Sequence, residues 1–482
     1  MKDRKITAAL TQLSVYELNS FNKYINSPYF NVNENISKYL ELILDWIRKG
    51  NTNDDVPNEE LWKKVYGDIP YHSQKFLKLN SDLVKLLEDF LAQQEYDHML
   101  SLRTNLKLEG VRKRGIEKLY NGIIGELERL EKMEVNQSVE YYYTKYQIER
   151  GLFNLKTENE KKNAKFEIET ELNINKISEN LDYFYIAEKL RLYCTLLTWK
   201  KMYQLDTEMD YMDWVIEHAS YEKYFQIPPI QLYNKMKSTY IEGENTDHYF
   251  ELRHMIKKYI HYFPKEEVKE IYATAISYCI NRVNKGDTSF HRENFDLYKE
   301  TIDNEIFISN NEISVSNFRN IVPIALRVGE FDWAENFIFE YSKYIDEKYR
   351  ANAVEFSLAR LEFYRKDFNK VLDHLNKVTY EDVWYNLGSK SLLIFTYYEL
   401  DETDALESLL QAFKMYIRRE KSLTIDRKDT YLNLIKFTLN LMKLTYKDKD
   451  KLTKLKTEIT NTKGVVSKPW LLEKIDILLN KK

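Results

Sequence analysis

Residues 316–341 read SNFRNIVPIALRVGEFDWAENFIFEY. Apolar residues recur at three- and four-residue spacing on both sides of the segment Val328-Gly329-Glu330, which is the pattern of two amphipathic helices joined by a short break. The pattern predicts one helix from about Ser316 and a second helix from Phe331. This stretch is therefore interpreted as one unit of two helices.

The same unit recurs twice further along the chain. When the helix that starts near Ser316 is aligned with those that start near Ala353 and Gly388, equivalent residues fall at spacings of 37 and 35 positions. The matched sets are Ile321, Leu358 and Leu393; Val322, Ala359 and Ile394; Ala334, Val371 and Leu406; Ile338, Leu375 and Leu410; and Tyr341, Val378 and Phe413. At the start of the second helix Phe331 matches Phe368, whereas the third unit departs with Thr403. The alignment predicts three consecutive helix pairs.

Three units of two helices near a 34-residue period resemble tetratricopeptide repeats (TPRs) over residues 316–418. Two longer motifs extend the resemblance, Ser27-Pro28-Tyr29-Phe30-Asn31 and Gly329-Glu330-Phe331-Asp332-Trp333-Ala334-Glu335. With them, the chain is similar over most of its length to an uncharacterised family of long, TPR-like bacterial proteins. The resemblance implies a helical-repeat solenoid of antiparallel helix pairs, and it implies no particular activity.

The composition agrees with a helical fold. The chain has only 12 Gly and 8 Pro among 482 residues, whereas these two residues make up roughly 12% of an average protein. Since hairpins and phosphate-binding loops depend on glycine and proline, their scarcity disfavours β-rich folds and glycine-loop sites. The 72 basic and 76 acidic residues nearly balance, so the formal net charge of −4 creates no strong field toward nucleic acid or membranes.

We therefore predict an all-α, TPR-like helical-repeat solenoid with an N-terminal helical cap. Within that cap, Ser14 and Glu17 have the spacing of a capping box at the start of an amphipathic helix, and Asn33 is placed to cap the next helix. The predicted segments are the N-terminal cap over 1–100, a helical array over 101–310, TPR-like repeats over 311–420 and lysine-rich capping helices over 421–482.

Cysteine usage and hydropathy bear on the cellular location. Cys194 and Cys279 lie in apolar stretches without the spacing of a metal-binding or redox pair, which is typical of buried thiols in a reducing compartment. Uncharged runs reach about eleven residues, as in 271–281, well short of the roughly 18 that span a bilayer. We expect a cytoplasmic protein that does not bind a membrane.

Motifs of common catalytic sites are missing from the sequence. It contains no Walker A loop, nucleophile elbow, dinucleotide-binding glycine turn or HExxH motif. Two Glu-x-x-His pairs, Glu95 with His98 and Glu251 with His254, have the spacing used in di-iron bundles, but no further partner carboxylates identify themselves. We predict a non-enzymatic protein without a cofactor or metal, and keep a metal enzyme built on these pairs as an alternative hypothesis.

In a TPR-like register, the first helix of each pair faces a concave groove. Arginine and aromatic side chains anchor peptides well because they combine large contact area with directional hydrogen bonds. We predict a scaffold or adaptor that binds a peptide or helix of a partner protein there, unless flanking helices bury this wall. The predicted groove residues are Arg319, Leu326, Phe356, Arg360, Phe363, Ser391, Phe395 and Tyr398.

A second group of candidate residues is basic. Residues 443–482 contain 11 lysines against 5 acidic residues, a local net charge of +6. Clustered cations bind nucleic acid by neutralising its phosphates, so nucleic-acid association is the alternative function. The interleaved acidic residues equally fit a solvated pair of terminal helices. Preceding this segment, the predicted basic patch consists of Lys414, Arg418, Arg419, Lys421, Arg427 and Lys428.

Overall fold

Helices make up nearly all of the regular structure in a computed structural model that describes residues 4–50, 56–163, 173–203, 205–309, 311–380 and 382–481. Across these residues there are 24 α-helices, three short 3-10 turns and a single two-stranded ribbon. The predicted all-α fold class is confirmed. Of the helices described, none combines the length and the apolar character needed to cross a membrane.

The helices are named in chain order. The first twelve are α1 Lys5–Leu10, α2 Val15–Ile25, α3 Glu34–Arg48, α4 Asn58–Tyr66, α5 Ser73–His98, α6 Leu100–Lys113, α7 Tyr120–Met133, α8 Val139–Asn163, α9 Ile174–Tyr203, α10 Met212–Ala219, α11 Glu222–Phe225 and α12 Pro228–Ile241. The second twelve are α13 Asp247–Tyr259, α14 Lys265–Asn284, α15 Phe290–Asp303, α16 Val315–Arg327, α17 Phe331–Tyr341, α18 Glu347–Arg365, α19 Phe368–Leu375, α20 Val383–Glu399, α21 Thr403–Arg419, α22 Ile425–Met442, α23 Lys449–Asn461 and α24 Lys468–Asn480.

The chain divides into two compact units. The first unit comprises Met1–Thr195 and Asp206–Tyr233, and the second comprises Leu196–Leu205 and Asn234–Lys482. The division therefore falls inside the segment 101–310 that the sequence analysis treated as one array.

In the first unit, helices α1 to α5 share one hydrophobic core. Helix α2 begins with the predicted capping box, in which the Ser14 hydroxyl accepts the Glu17 N–H at 3.2 Å and the Glu17 carboxylate accepts the Ser14 N–H at 2.7 Å. The pairing satisfies backbone donors that a helix start otherwise leaves unbonded. Aromatic side chains contribute much of this core, and Phe21, Tyr39, Phe76 and Phe90 are each almost fully buried.

In the second unit, the three aligned sequence units correspond to the pairs α16–α17, α18–α19 and α20–α21. The two helices of each pair pack together, α16 also contacts α18, and α18 contacts α20. Equivalent positions occupy equivalent places in the core, because the members of three matched sets are all buried. These sets are Val322, Ala359 and Ile394; Ala334, Val371 and Leu406; and Ile338, Leu375 and Leu410.

A short antiparallel ribbon that the sequence analysis did not predict precedes α16. Strand β1, Ile308–Ser309, pairs with β2, Glu312–Ile313, with Ile308 opposite Ile313. Both isoleucines are buried, and Asn311 between the strands adopts a left-handed conformation with φ of 62°. Asparagine tolerates this region better than most residues, which explains a tight reversal without glycine.

Candidate functional site

The eight predicted groove residues fall into two groups. Leu326, Phe356, Ser391 and Phe395 are buried, with exposed fractions of 1% to 8%. These four side chains pack inside the helical stack, so the predicted groove is corrected at these positions: apolar residues at helical spacing serve here as core. The remaining four are only partly buried, namely Arg319, Arg360, Phe363 and Tyr398.

The C-terminal helix covers one end of the predicted wall. The Trp470 ring of α24 lies 4.5 Å from the Phe395 ring and 5.3 Å from the Tyr398 ring, measured between centroids. Its indole N–H donates to the Glu399 carboxylate at 3.3 Å, and Lys474 forms an ion pair with the same carboxylate at 2.5 Å. Helix α24 therefore occupies the surface that Phe395 and Tyr398 were expected to offer a partner.

At the other end, two arginines from different helices lie against one tryptophan, and a third arginine lies against Phe356. The guanidinium carbons of Arg427 on α22 and Arg319 on α16 lie 4.5 and 5.7 Å from the Trp384 ring centroid. Arg360 on α18 lies 4.5 Å from the centroid of the Phe356 ring. Trp384, on α20, is 39% exposed, so a ligand can reach it. We call Arg319, Arg360, Trp384 and Arg427 the arginine–tryptophan site.

The charges of the three arginines act on shared neighbours. Desolvation, together with the charges of Arg319 and Arg327, lowers the pKa of Arg360 to about 10. Burial raises the pKa of the Tyr431 hydroxyl on α22, and the charges of Arg427, Arg360 and Arg319 each oppose that rise. The pKa of this one hydroxyl group is therefore affected by the charges of all three arginines.

The chain itself supplies few acceptors for these cations. Among the residues that the structure describes, no carboxylate forms an ion pair with Arg319, Arg360 or Arg427. Asp382 lies nearby, but its carboxylate caps α20 by accepting the backbone N–H groups of Trp384 and Tyr385 at 2.8 and 3.1 Å.

Tyr385 adds a hydrogen-bond donor to this region. Its hydroxyl is buried and has no hydrogen-bond partner within the described part of the chain. Burial raises its pKa to about 12, and the charges of Arg319 and Arg360 oppose the rise. A buried polar group without a partner costs free energy, so this hydroxyl is an unsatisfied donor next to Trp384 in the sequence.

Of the residues in this region, the sequence analysis named Arg319 and Arg360 as groove candidates and Arg427 in the basic patch, and it did not name Trp384 or Tyr385. A signal for Trp384 was present: it lies seven residues, two helical turns, before Ser391 on the same stripe of α20. The predicted groove residues on α20 were Ser391, Phe395 and Tyr398, which all follow Trp384 in the sequence. For Tyr385 no sequence signal separates a hydroxyl without a partner from an ordinary core tyrosine.

The predicted basic patch lies where α21 ends and α22 begins. Lys414, Arg418, Arg419 and Lys421 are exposed, Lys428 is half-buried, and Arg427 joins the arginine–tryptophan site. Further on, lysines are paired with the interleaved acidic residues, as in the ion pairs Lys436–Glu458 at 2.7 Å, Lys456–Asp476 at 2.5 Å and Lys451–Asp448 at 3.2 Å.

The Glu-x-x-His pairs are found on α5 in the first unit and on α13 in the second. Glu95, His98, Glu251 and His254 are all exposed, and Glu251 forms an ion pair with Lys235. In the ranges described, no three or more His, Cys, Asp or Glu side chains are grouped so that they could hold a metal ion.

Both thiols are expected to resist modification in the folded protein. Cys279 and Cys194 have exposed fractions of 0% and 4%, and burial raises the pKa of Cys279 to about 12. Because the thiolate is the reactive species, Ellman's reagent should release almost no chromophore from the native protein and two equivalents in guanidinium chloride. Fast release from the native protein would contradict the burial of these residues.

Comparisons with known proteins return no match, whether against protein-family models, curated proteins or solved structures.

Proposed function

We propose that this protein is a non-enzymatic cytoplasmic scaffold or adaptor that binds a peptide or helix of a partner protein on a TPR-like solenoid of antiparallel helix pairs. The observation that carries the proposal is which helices contribute the residues of the arginine–tryptophan site. Three of its four residues come from α16, α18 and α20, the first helices of the three aligned pairs, and the fourth comes from α22, which follows them. In repeat proteins, stacked equivalent helices build an extended surface of this kind for a partner.

The residue types support a protein partner. Tryptophan and arginine are enriched among the residues that carry most of the binding energy at protein interfaces. Here the guanidinium groups of Arg319 and Arg427 lie against the Trp384 ring, an arrangement that limits the side-chain freedom lost on binding. A surface of this composition, with two side chains already held against the tryptophan ring, favours specific contacts with a peptide or helix.

Affinity capture tests the function. Tagged full-length protein is expected to capture a set of partners. The variant Trp384→Ala is expected to recover these partners about tenfold less, a factor that corresponds to roughly 1.4 kcal/mol of binding energy. Phe339→Ala is the matched control, because Phe339 is a 58% exposed aromatic residue on α17, a second helix of a pair. Quantitative mass spectrometry measures both variants beside the wild type. Equal partner sets for Trp384→Ala and Phe339→Ala would contradict the proposed surface.

Nucleic-acid association is the second candidate, and the exposed cations at the junction of α21 and α22 favour it. Lys414, Arg418, Arg419 and Lys421 have no ion-pair partner among the described residues. Binding through these residues would weaken with salt, with a log–log slope of about −0.9 for each phosphate neutralised. If the double variant Lys414→Glu, Arg418→Glu still binds the oligonucleotide with unchanged salt dependence, this patch is not the nucleic-acid-binding surface.

A further inference from the structure

The charge of the arginine–tryptophan site, and the lack of acceptors for it within the described chain, narrow the class of ligand that it can bind. Two guanidinium groups lie against Trp384 and the third lies against Phe356, and no described carboxylate pairs with any of them. The buried Tyr385 hydroxyl also has no hydrogen-bond partner within the described residues. Arg360 is partly buried between helices, where an uncompensated charge is unfavourable. These groups share one requirement, an anionic acceptor from outside the chain.

We propose that the arginine–tryptophan site binds the phosphoryl group of a phosphorylated peptide segment on a partner protein. The proposal rests on the proposed function, since it names the chemistry of the peptide that this surface takes. Arg319, Arg360 and Arg427 supply the positive charge and the hydrogen-bond donors. Trp384 holds two of the guanidinium groups in place.

Charge favours a phosphoryl group over a single carboxylate. A phosphorylated side chain carries about −1.5 to −2 charges at neutral pH and three strong acceptor oxygens, whereas a carboxylate carries one charge and two oxygens. Three arginines therefore match the phosphoryl group in both charge and donor number. Clusters of arginines are a common means of recognising phosphorylated peptides in general.

Geometry favours a peptide over nucleic acid. Nonspecific nucleic-acid binding uses exposed cations along a groove and open aromatic faces on which bases stack. At this site, Arg319 and Arg427 lie against the Trp384 ring, and Arg360 is withdrawn into the helical packing. A single phosphoryl group on a flexible side chain can approach partly buried guanidinium groups more readily than a regular phosphate backbone.

Fluorescence anisotropy with the full-length protein tests the proposal at constant ionic strength. The probes are degenerate peptide pools that differ only at one fixed central residue, which is phosphoserine, glutamate or serine. The phosphoserine pool is expected to bind at least about tenfold more tightly than the serine pool, with the glutamate pool in between. Arg360→Met should remove most of this preference. Lys449→Met, which changes an exposed lysine at the start of α23, should retain it.

Thermal unfolding gives a readout that does not depend on the peptide. Inorganic phosphate is expected to raise the Tm of the wild type above its value in chloride at equal ionic strength, and to have little effect on Arg360→Met. Without phosphate, Arg360→Met should melt at or above the wild-type temperature, because the substitution removes a desolvated charge without an ion-pair partner. A much lower Tm would identify Arg360 as a structural residue and overturn the proposal. Arg427→Met tests the site at an exposed position.

The outcomes separate this proposal from the proposed function. Loss of partners by Trp384→Ala without any phosphoserine preference would overturn the phosphate site and leave the adaptor function standing. A phosphoserine preference that depends on Arg360, together with unchanged partners for Trp384→Ala, would support the site and contradict the adaptor surface. Displacement of the phosphoserine pool by a mixed-sequence oligonucleotide, with tighter binding of the oligonucleotide, would assign the site to nucleic acid.

Discussion

Glu300→Ala is expected to lower the free energy of unfolding of the second unit by about 3 kcal/mol, because it leaves a buried arginine without its main partner. Arg253 is only 7% exposed, and both of its terminal nitrogens bond the Glu300 carboxylate, one of them at 2.6 Å. Tyr272 donates to the same carboxylate at 3.2 Å, whereas the nearest oxygen of Glu293 lies 3.9 Å from the guanidinium. Denaturant titration followed by circular dichroism measures the change.

An exposed ion pair in the same unit provides the control. Asp476 and Lys456 approach to 2.5 Å, but more than 40% of each side chain is exposed. Because surface pairs contribute between about 0 and 1 kcal/mol, Asp476→Ala should change the unfolding free energy by less than about 1 kcal/mol. Similar losses for Glu300→Ala and Asp476→Ala would show that burial does not distinguish the two pairs.

The same buried ion pair has a pH signature. Burial raises the pKa of Glu300, but the hydrogen bonds and charge of Arg253 outweigh that effect and hold the pKa below its usual value of 4.5. A lowered folded-state pKa contributes stability that is present above the unfolded pKa and is lost as pH falls through the folded pKa. The difference in stability between wild type and Glu300→Ala should therefore shrink below pH 4.5. A difference that is constant between neutral and acidic pH would contradict the ionic origin of the effect.

Local features of the fold were predictable from the sequence because their causes are local. The Ser14–Glu17 capping box forms as expected, and the Asn33 side chain accepts the Asn35 N–H at 3.1 Å at the start of α3. The helix pairs were found for a related reason: matched positions such as Val322 and Ala359 have the same burial requirement in each unit. Periodicity reports which face of a helix is apolar.

Periodicity does not report what covers that face. Phe395 was expected to face a partner, but Trp470 packs against it from a helix that lies 75 positions later in the sequence. Likewise, the burial of Phe356 depends on α20, whose approach is set by the lack of a side chain at Gly388. Contacts between distant segments thus decided which predicted groove residues became core and which, such as Arg360, are only partly buried.

Gly388→Ala is expected to destabilise the second unit by about 2 kcal/mol, because α20 packs too closely on α18 to accommodate a methyl group. A Cβ atom at this position would lie 2.5 Å from Cζ of Phe356 and within 3.3 Å of two further atoms of that ring. Phe356 is 1% exposed, so its ring has little room to move. Alanine gains about 1 kcal/mol of helix propensity over glycine, but overpacking of this severity costs about 3 kcal/mol. Denaturant titration measures the net loss.

A matched glycine and a compensating change test this cause. Gly125 lies in α7, where an added Cβ atom would meet no other atom within 4 Å, so Gly125→Ala should stabilise its helix by up to about 1 kcal/mol. In the second unit, Phe356→Leu removes the ring atoms that meet the new methyl group. Gly388→Ala should therefore cost less in the Phe356→Leu background than in the wild type, with a coupling energy of about 1–2 kcal/mol. Additive losses would place the cause outside the contact of Gly388 with Phe356, since only that contact makes one substitution relieve the other.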